Sequence, residues 1–318
     1  MRTIVLNRGN IEPDGENNKL TYKFPNSVLF RDSYIAVSQV NMFYSWVNIS
    51  QEIGNNIISY TFWDGDIAPS PPNLITYTIT IPDGLYEVAS LNSLLQFTFI
   101  ENGHYFIDSG GDNIYPLDIE VNPTRYAIQI NTYSFPGTTG QPAGLPATYT
   151  APSNSPYTGG ALPTQSFNAQ INLPPDINIF FGYIANFQSD ANFNNATTQA
   201  TLELTYSANY VEKDTATGTI SYLSSTSPDV KPNSSVYLAV SNIDNIYAQP
   251  SSIIYSITPT VAIGGQIAEK PPQFAWNKLI EGTYNQLRLT FLGIDLNPVK
   301  ILDPNMSILL VIKDRNEL

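Results

Sequence analysis

Apolar residues recur at every second position in one segment of this chain after another. Ile75-Thr76-Tyr77-Thr78-Ile79-Thr80-Ile81 alternates without a break, and Leu287, Leu289 and Phe291 alternate with Gln286, Arg288 and Thr290. Successive strand residues point to opposite faces, so such segments lay an apolar side on a core and a polar side outward. Leu117, Ile119 and Val121 repeat the pattern against Asp118 and Glu120, as do Leu202, Leu204, Tyr206 and Ala208 within Thr201–Tyr210. Ser33–Trp46 and Ile57–Trp63 are further strands, the first dense in β-formers. Ile308–Ile312 is an apolar run ended by Lys313 and Asp314, which predicts a strand covered on both faces. A chain that ends on such a strand must insert it into a sheet built from earlier segments, as Greek-key sandwiches do.

One segment has a helical period. Glu87, Val88, Leu91, Leu94 and Leu95 recur at i, i+3, i+4 and i+7, predicting a short helix that ends near Phe99. Phe135–Gln165 has neither period; it is rich in Pro, Gly, Thr and Ser and carries no charge. Such composition buries too little apolar surface to offset its ordering entropy alone, so it reads as an exposed insertion. No repeat of 20–50 residues is present, which removes solenoids and propellers. The remaining class is all-β: a jelly-roll β-sandwich of two antiparallel sheets with one short helix. The jelly roll is expected over 1–134 and 200–318, with 135–199 as an insertion or exposed loop region.

Composition narrows the function. Only 13% of the 318 residues are charged, against about 25% in a typical soluble domain. Two readings stay open: a neutral, Asn-rich proteome, or a subunit whose surface is mostly interface, since interface cores lose charge and gain aromatics. Net charge is −13 and no basic residue occurs between Arg125 and Lys213. The scattered cations lack the clustered footprint of a nucleic-acid binder. No apolar run approaches the roughly 18 residues of a membrane span, and Met1–Leu6 is too short for a signal h-region. With no Cys, disulfide and thiolate chemistry are excluded, which fits a reducing cytosol.

Candidate chemistry is sparse. His104 is the only histidine, so any Ser-His-acid triad would have to use it; it reads as a loop residue. Asp64-Gly65-Asp66 and Asp108–Asn113, with Asp112, gather oxygen ligands that suit a hard cation, but turn chemistry explains both. Sequons at Asn48, Asn195, Asn233 and Asn305 matter only in a secreted chain. No catalytic, cofactor-binding or metal residue is assigned, no cofactor is expected, and the chain is not read as an enzyme.

Several segments together resemble one family. They are Ser38–Ile49, Ile79–Tyr86 running into Leu91–Leu95, Phe181-Gly182-Tyr183, Gln249–Ser256, and Leu287–Phe291 through Ile301–Leu310. Set and order resemble the penton (minor capsid) proteins of mavirus-like virophages and of the related polinton and adintovirus elements. The resemblance runs from Ile4 to Lys313, with a gap over Phe135–Gln165. It implies a jelly-roll subunit forming a homopentamer at the fivefold vertices of an icosahedral capsid. The ring would plug holes between trimers of a double-jelly-roll major capsid protein, in a virion assembled in the host cytoplasm. Residues 1–8 and the tail after Lys313 are candidates for clasping neighbours. The alternative is a carbohydrate-binding or host-attachment jelly-roll module.

Overall fold

The computed structural model describes residues 1–13, 17–67, 72–140, 144, 146–183, 187–189, 211–214, 216–230 and 233–315. The strand expected over Thr201–Tyr210, the Asn195 sequon and the 199/200 boundary lie outside the described residues. Among the described residues every strand pairing is antiparallel. The chain forms two compact units, Met1–Asn48 with Lys231–Leu318, and Ile49–Val230.

The first unit is a hairpin rolled into two sheets. Its eight principal strands are Arg2–Asn7, Lys19–Phe30, Ser33–Phe43, Val236–Val240, Ile253–Ile257, Gln266–Glu269, Gly282–Leu292 and Ser307–Asp314. The first pairs with the eighth, the second with the seventh, the third with the sixth and the fourth with the fifth. Rolling adds two more ladders, eighth to third and fourth to seventh. The sheets therefore run first-eighth-third-sixth and fifth-fourth-seventh-second. That order is the jelly roll. The last strand lies between the first and third, as its apolar run predicts. Leu287, Leu289 and Phe291 are buried, and so are Ile308, Leu310 and Ile312. Trp46 is buried too, its indole Nε1–H donating to the Asn233 carbonyl at 2.8 Å.

The second unit contains two four-stranded sheets. One runs Val211–Asp214, Thr219–Leu223, Ala127–Thr132, Leu117–Asn122; the other runs Phe187–Gln188, Gln170–Leu173, Ile57–Trp63, Leu74–Thr80. One continuous core includes Ile58, Tyr60, Phe62, Ile119, Ile130 and Tyr222. The predicted helix spans Val88–Asn102 and buries Val88, Leu91, Leu95 and Phe99. Gly103 ends it at φ 69, a left-handed conformation that glycine adopts at little cost. A second helix, Pro175–Phe181, was hidden in a segment with no clear period.

The division differs from the expected one. It falls at 48/49 and 230/231, not at 134/135. Strands from Ile57 to Thr132 belong with the second unit because their ladders run to Gln170–Leu173 and Thr219–Leu223. The segment read as an exposed insertion also supplies core. Phe135, Tyr157 and Phe167 are buried, and the Tyr157 hydroxyl donates to the Pro136 carbonyl at 2.9 Å. The polar residues between these anchors bond one another, with Thr138 and Thr139 hydroxyls both donating to Thr164 O at 2.7 Å. Three spaced aromatics stabilise a stretch that composition alone reads as loose.

Candidate functional site

His104 follows the Gly103 cap, and its backbone N–H donates to Phe99 O at 2.9 Å. That turn drives the ring into the core. It stacks on Phe62 with centroids 4.1 Å apart and planes 17° apart, and meets the edge of Tyr77 at 4.6 Å. Its Nδ1 lies 2.9 Å from the Tyr60 hydroxyl. Burial lowers its pKa to about 4, so the imidazole is neutral at neutral pH. Burial is also the main reason the Tyr60 hydroxyl is raised. The residue is in a connecting segment, as expected, but it packs there as a core aromatic.

Both aspartate pairs build turns. Asp64 accepts from the Asp66 N–H at 2.9 Å and from the Asn73 amide. Asp108 Oδ1 accepts from the backbone N–H of Gly110 at 2.8 Å and of Asp112 at 2.9 Å, closing the hairpin from Phe106–Ile107 to Asn113–Ile114. Among the described residues, no group of three or more His, Cys, Asp or Glu could hold a metal ion. No described helix is long and apolar enough to cross a membrane.

A polar network missed in the sequence lies on the strands Leu117–Asn122, Ala127–Thr132 and Thr219–Leu223. The Asn131 amide donates to Asp118 at 2.7 Å and to Glu120 at 3.0 Å, and Ser221 donates to Asn131 at 2.7 Å. The Tyr133 hydroxyl donates to Asp118. Burial pushes the Asp118 carboxyl up, opposed by those Tyr133 and Asn131 bonds. The only signal in the sequence was the polar half of each alternation, which reveals an outward face but not its cross-strand partners.

Charge divides sharply between the units. The first holds 12 of the 14 basic and 11 of the 27 acidic residues, a net of +1; the second holds the other 2 and 16, a net of −14. The near-neutral jelly roll also carries two highly exposed large apolar side chains at a loop tip. Ile246 is 74% and Tyr247 93% exposed. The loop is braced: Asn245 donates from its N–H to Ser251 O and from its amide to Ile253 O, both at 2.9 Å. The N-terminal segment, by contrast, is no free arm. Arg2–Asn7 is a strand of the sheet, in register with Ser307–Ile312.

No family model matches the chain, and no curated protein matches it. Among solved structures it is similar to the mavirus penton protein, with a TM-score of 0.37 and 10% identity over 98% of this chain and 99% of that one. It is also similar to a chain of the Sputnik virophage structure, with a TM-score of 0.34 and 12% identity over 100% of this chain and 99% of that one.

Proposed function

We propose that this chain is a structural virion protein: a penton subunit whose homopentamers close the fivefold vertices of an icosahedral capsid. The observation that carries the reading is the jelly roll, whose ladders order the penton-like segments. Ser38–Phe43 lies in its third strand, Ile253–Ser256 in its fifth, Leu287–Phe291 in its seventh and Ser307–Leu310 in its eighth.

A ring of five needs a heterologous contact, with two different patches meeting at every junction. The first unit suits that task, since its +1 net charge reduces long-range repulsion between copies. The braced Ile246–Tyr247 tip supplies an aromatic anchor of the kind that dominates binding energy at interfaces. The double-jelly-roll major capsid protein is the second partner on this reading. The chain is then not an enzyme, does not contact nucleic acid directly, and resides in the virion after assembly in the host cytoplasm.

The test is reconstitution with the major capsid protein. Particles whose fivefold holes are filled only when this chain is added support the reading. A chain that stays out of the particles and binds a glycan array as a monomer overturns it in favour of a carbohydrate-binding module.

A further inference from the structure

Leu74–Thr80 is the edge of its four-stranded sheet. Its ladder to Ile57–Trp63 runs without a register shift from Ile57↔Thr80 to Trp63↔Leu74. Among the described residues no other backbone hydrogen bond reaches it. Every second residue of an antiparallel strand turns its N–H and C=O away from the paired neighbour, so among the described residues this edge presents a row of open groups. Proteins ordinarily blunt such edges with lysine, proline or a bulge. Here the strand has no proline and no bulge, and no charged residue occurs from 67 to 82.

The edge also reads the same in both directions: Ile75-Thr76-Tyr77-Thr78-Ile79. Two copies placed antiparallel about Tyr77 set tyrosine against tyrosine, Thr76 against Thr78, and Ile75 against Ile79. Threonine pairs and β-branched apolar pairs are favourable cross-strand neighbours. Ile75 and Ile79 lie opposite Phe62 and Ile58, on the core side of the sheet. Ile79 is 6% exposed, whereas Ile75 is 41% exposed. The pairing would bring the second copy's buried isoleucine beside the uncovered one.

We propose that Leu74–Thr80 pairs antiparallel with Leu74–Thr80 of a second copy of this chain, joining two four-stranded sheets into one of eight. A second copy is the occupant because an isologous contact requires a self-complementary patch, and the palindrome provides one. Charge restricts where two copies can touch. The second unit carries −14, so two such units repel, and 67–82 is a stretch where they can meet without like charges facing each other. A twofold contact cannot by itself close a ring of five, so this pairing and the penton reading stand or fall separately.

The chain has no cysteine, so introduced ones report the register directly. Thr76→Cys and Thr78→Cys are mixed under mild oxidation. The mixture is expected to form a disulfide-linked pair. Either variant alone is not, because identical positions then lie about 7–8 Å apart across the diagonal, beyond ordinary disulfide reach. Thr78→Lys is expected to halve the assembled mass in sedimentation while leaving the melting midpoint unchanged, and added salt is expected to strengthen pairing of the unsubstituted chain. A mixture that cross-links no better than the single variants overturns the proposal. So does a folded Thr78→Lys protein whose mass equals that of the unsubstituted chain.

Discussion

Arg2 and Asp314 join the two ends of the jelly roll. The Arg2 guanidinium donates to both carboxylate oxygens of Asp314, at 2.7 and 2.8 Å. Ser33 donates to the same carboxylate at 2.7 Å, so the first, eighth and third strands meet at one anion. The Ser33 bond, followed by Arg2, holds the Asp314 carboxyl below its ordinary range.

These exposed charges are expected to contribute little, whereas the strand they fasten contributes much. Arg2→Ala should leave the thermal midpoint nearly unchanged, because solvent-exposed ion pairs are weak. Deleting residues 1–7 should abolish cooperative melting. It removes buried Ile4 and Leu6, each contributing about 1.5–3 kcal/mol, and uncovers the eighth strand. Calorimetry of both variants distinguishes a pinned strand from a free arm. Any effect through Asp314 is present above the ordinary carboxylate range and lost as pH falls through its lowered folded value.

The single histidine makes a second expectation simple to read. Its folded pKa of about 4 lies below the ordinary value of 6.5, so its contribution to stability is present above about 6.5 and is lost as pH falls toward 4. The shift corresponds to roughly 3 kcal/mol. The one imidazole signal in an NMR titration should move with a midpoint near pH 4. His104→Phe should flatten the pH dependence of the melting midpoint between those limits.

Gly182 is expected to tolerate no side chain. Its φ is +76, and an added Cβ would stand 2.3 Å from the Thr226 carbonyl oxygen. The carbonyl of Gly182 accepts from Thr226 N–H at 3.1 Å and from its hydroxyl at 2.8 Å, so neither segment can move aside without losing both bonds. Gly182→Ala should cost about 1–3 kcal/mol for the backbone conformation alone, with more for the clash. Urea unfolding gives the figure.

Trp46→Phe should cost about 1 kcal/mol by leaving the half-buried Asn233 carbonyl without its indole donor. Restoration of stability by a second change at position 233 would show that a different contact matters.

Much of the jelly roll is legible from alternation. Leu287, Leu289 and Phe291, and the run Ile308–Ile312, announced their burial because a period of two fixes which face is apolar. What alternation cannot encode is the partner. Ile57–Trp63 and Gly282–Leu292 look alike as strings yet pair in different units, since ladder choice depends on residues more than a hundred positions away. Alternation therefore does not locate the 48/49 boundary. Phe135–Gln165 differs for another reason: average composition hides the buried aromatics Phe135 and Tyr157. For the candidate sites, the turn reading of Asp64 and Asp108 follows from side chains that bond backbone two residues on. The cross-strand network of Asp118 and Asn131 depended on register and was not readable beforehand.

The most direct measurement is native mass spectrometry of the purified chain, with Tyr247→Asp alongside. The penton reading predicts a species of five times the 35.1 kDa chain mass, or paired rings of that species, and its loss in the Tyr247→Asp protein with the melt unchanged. A folded chain that stays monomeric at every concentration, or assembles only in twos, would contradict it.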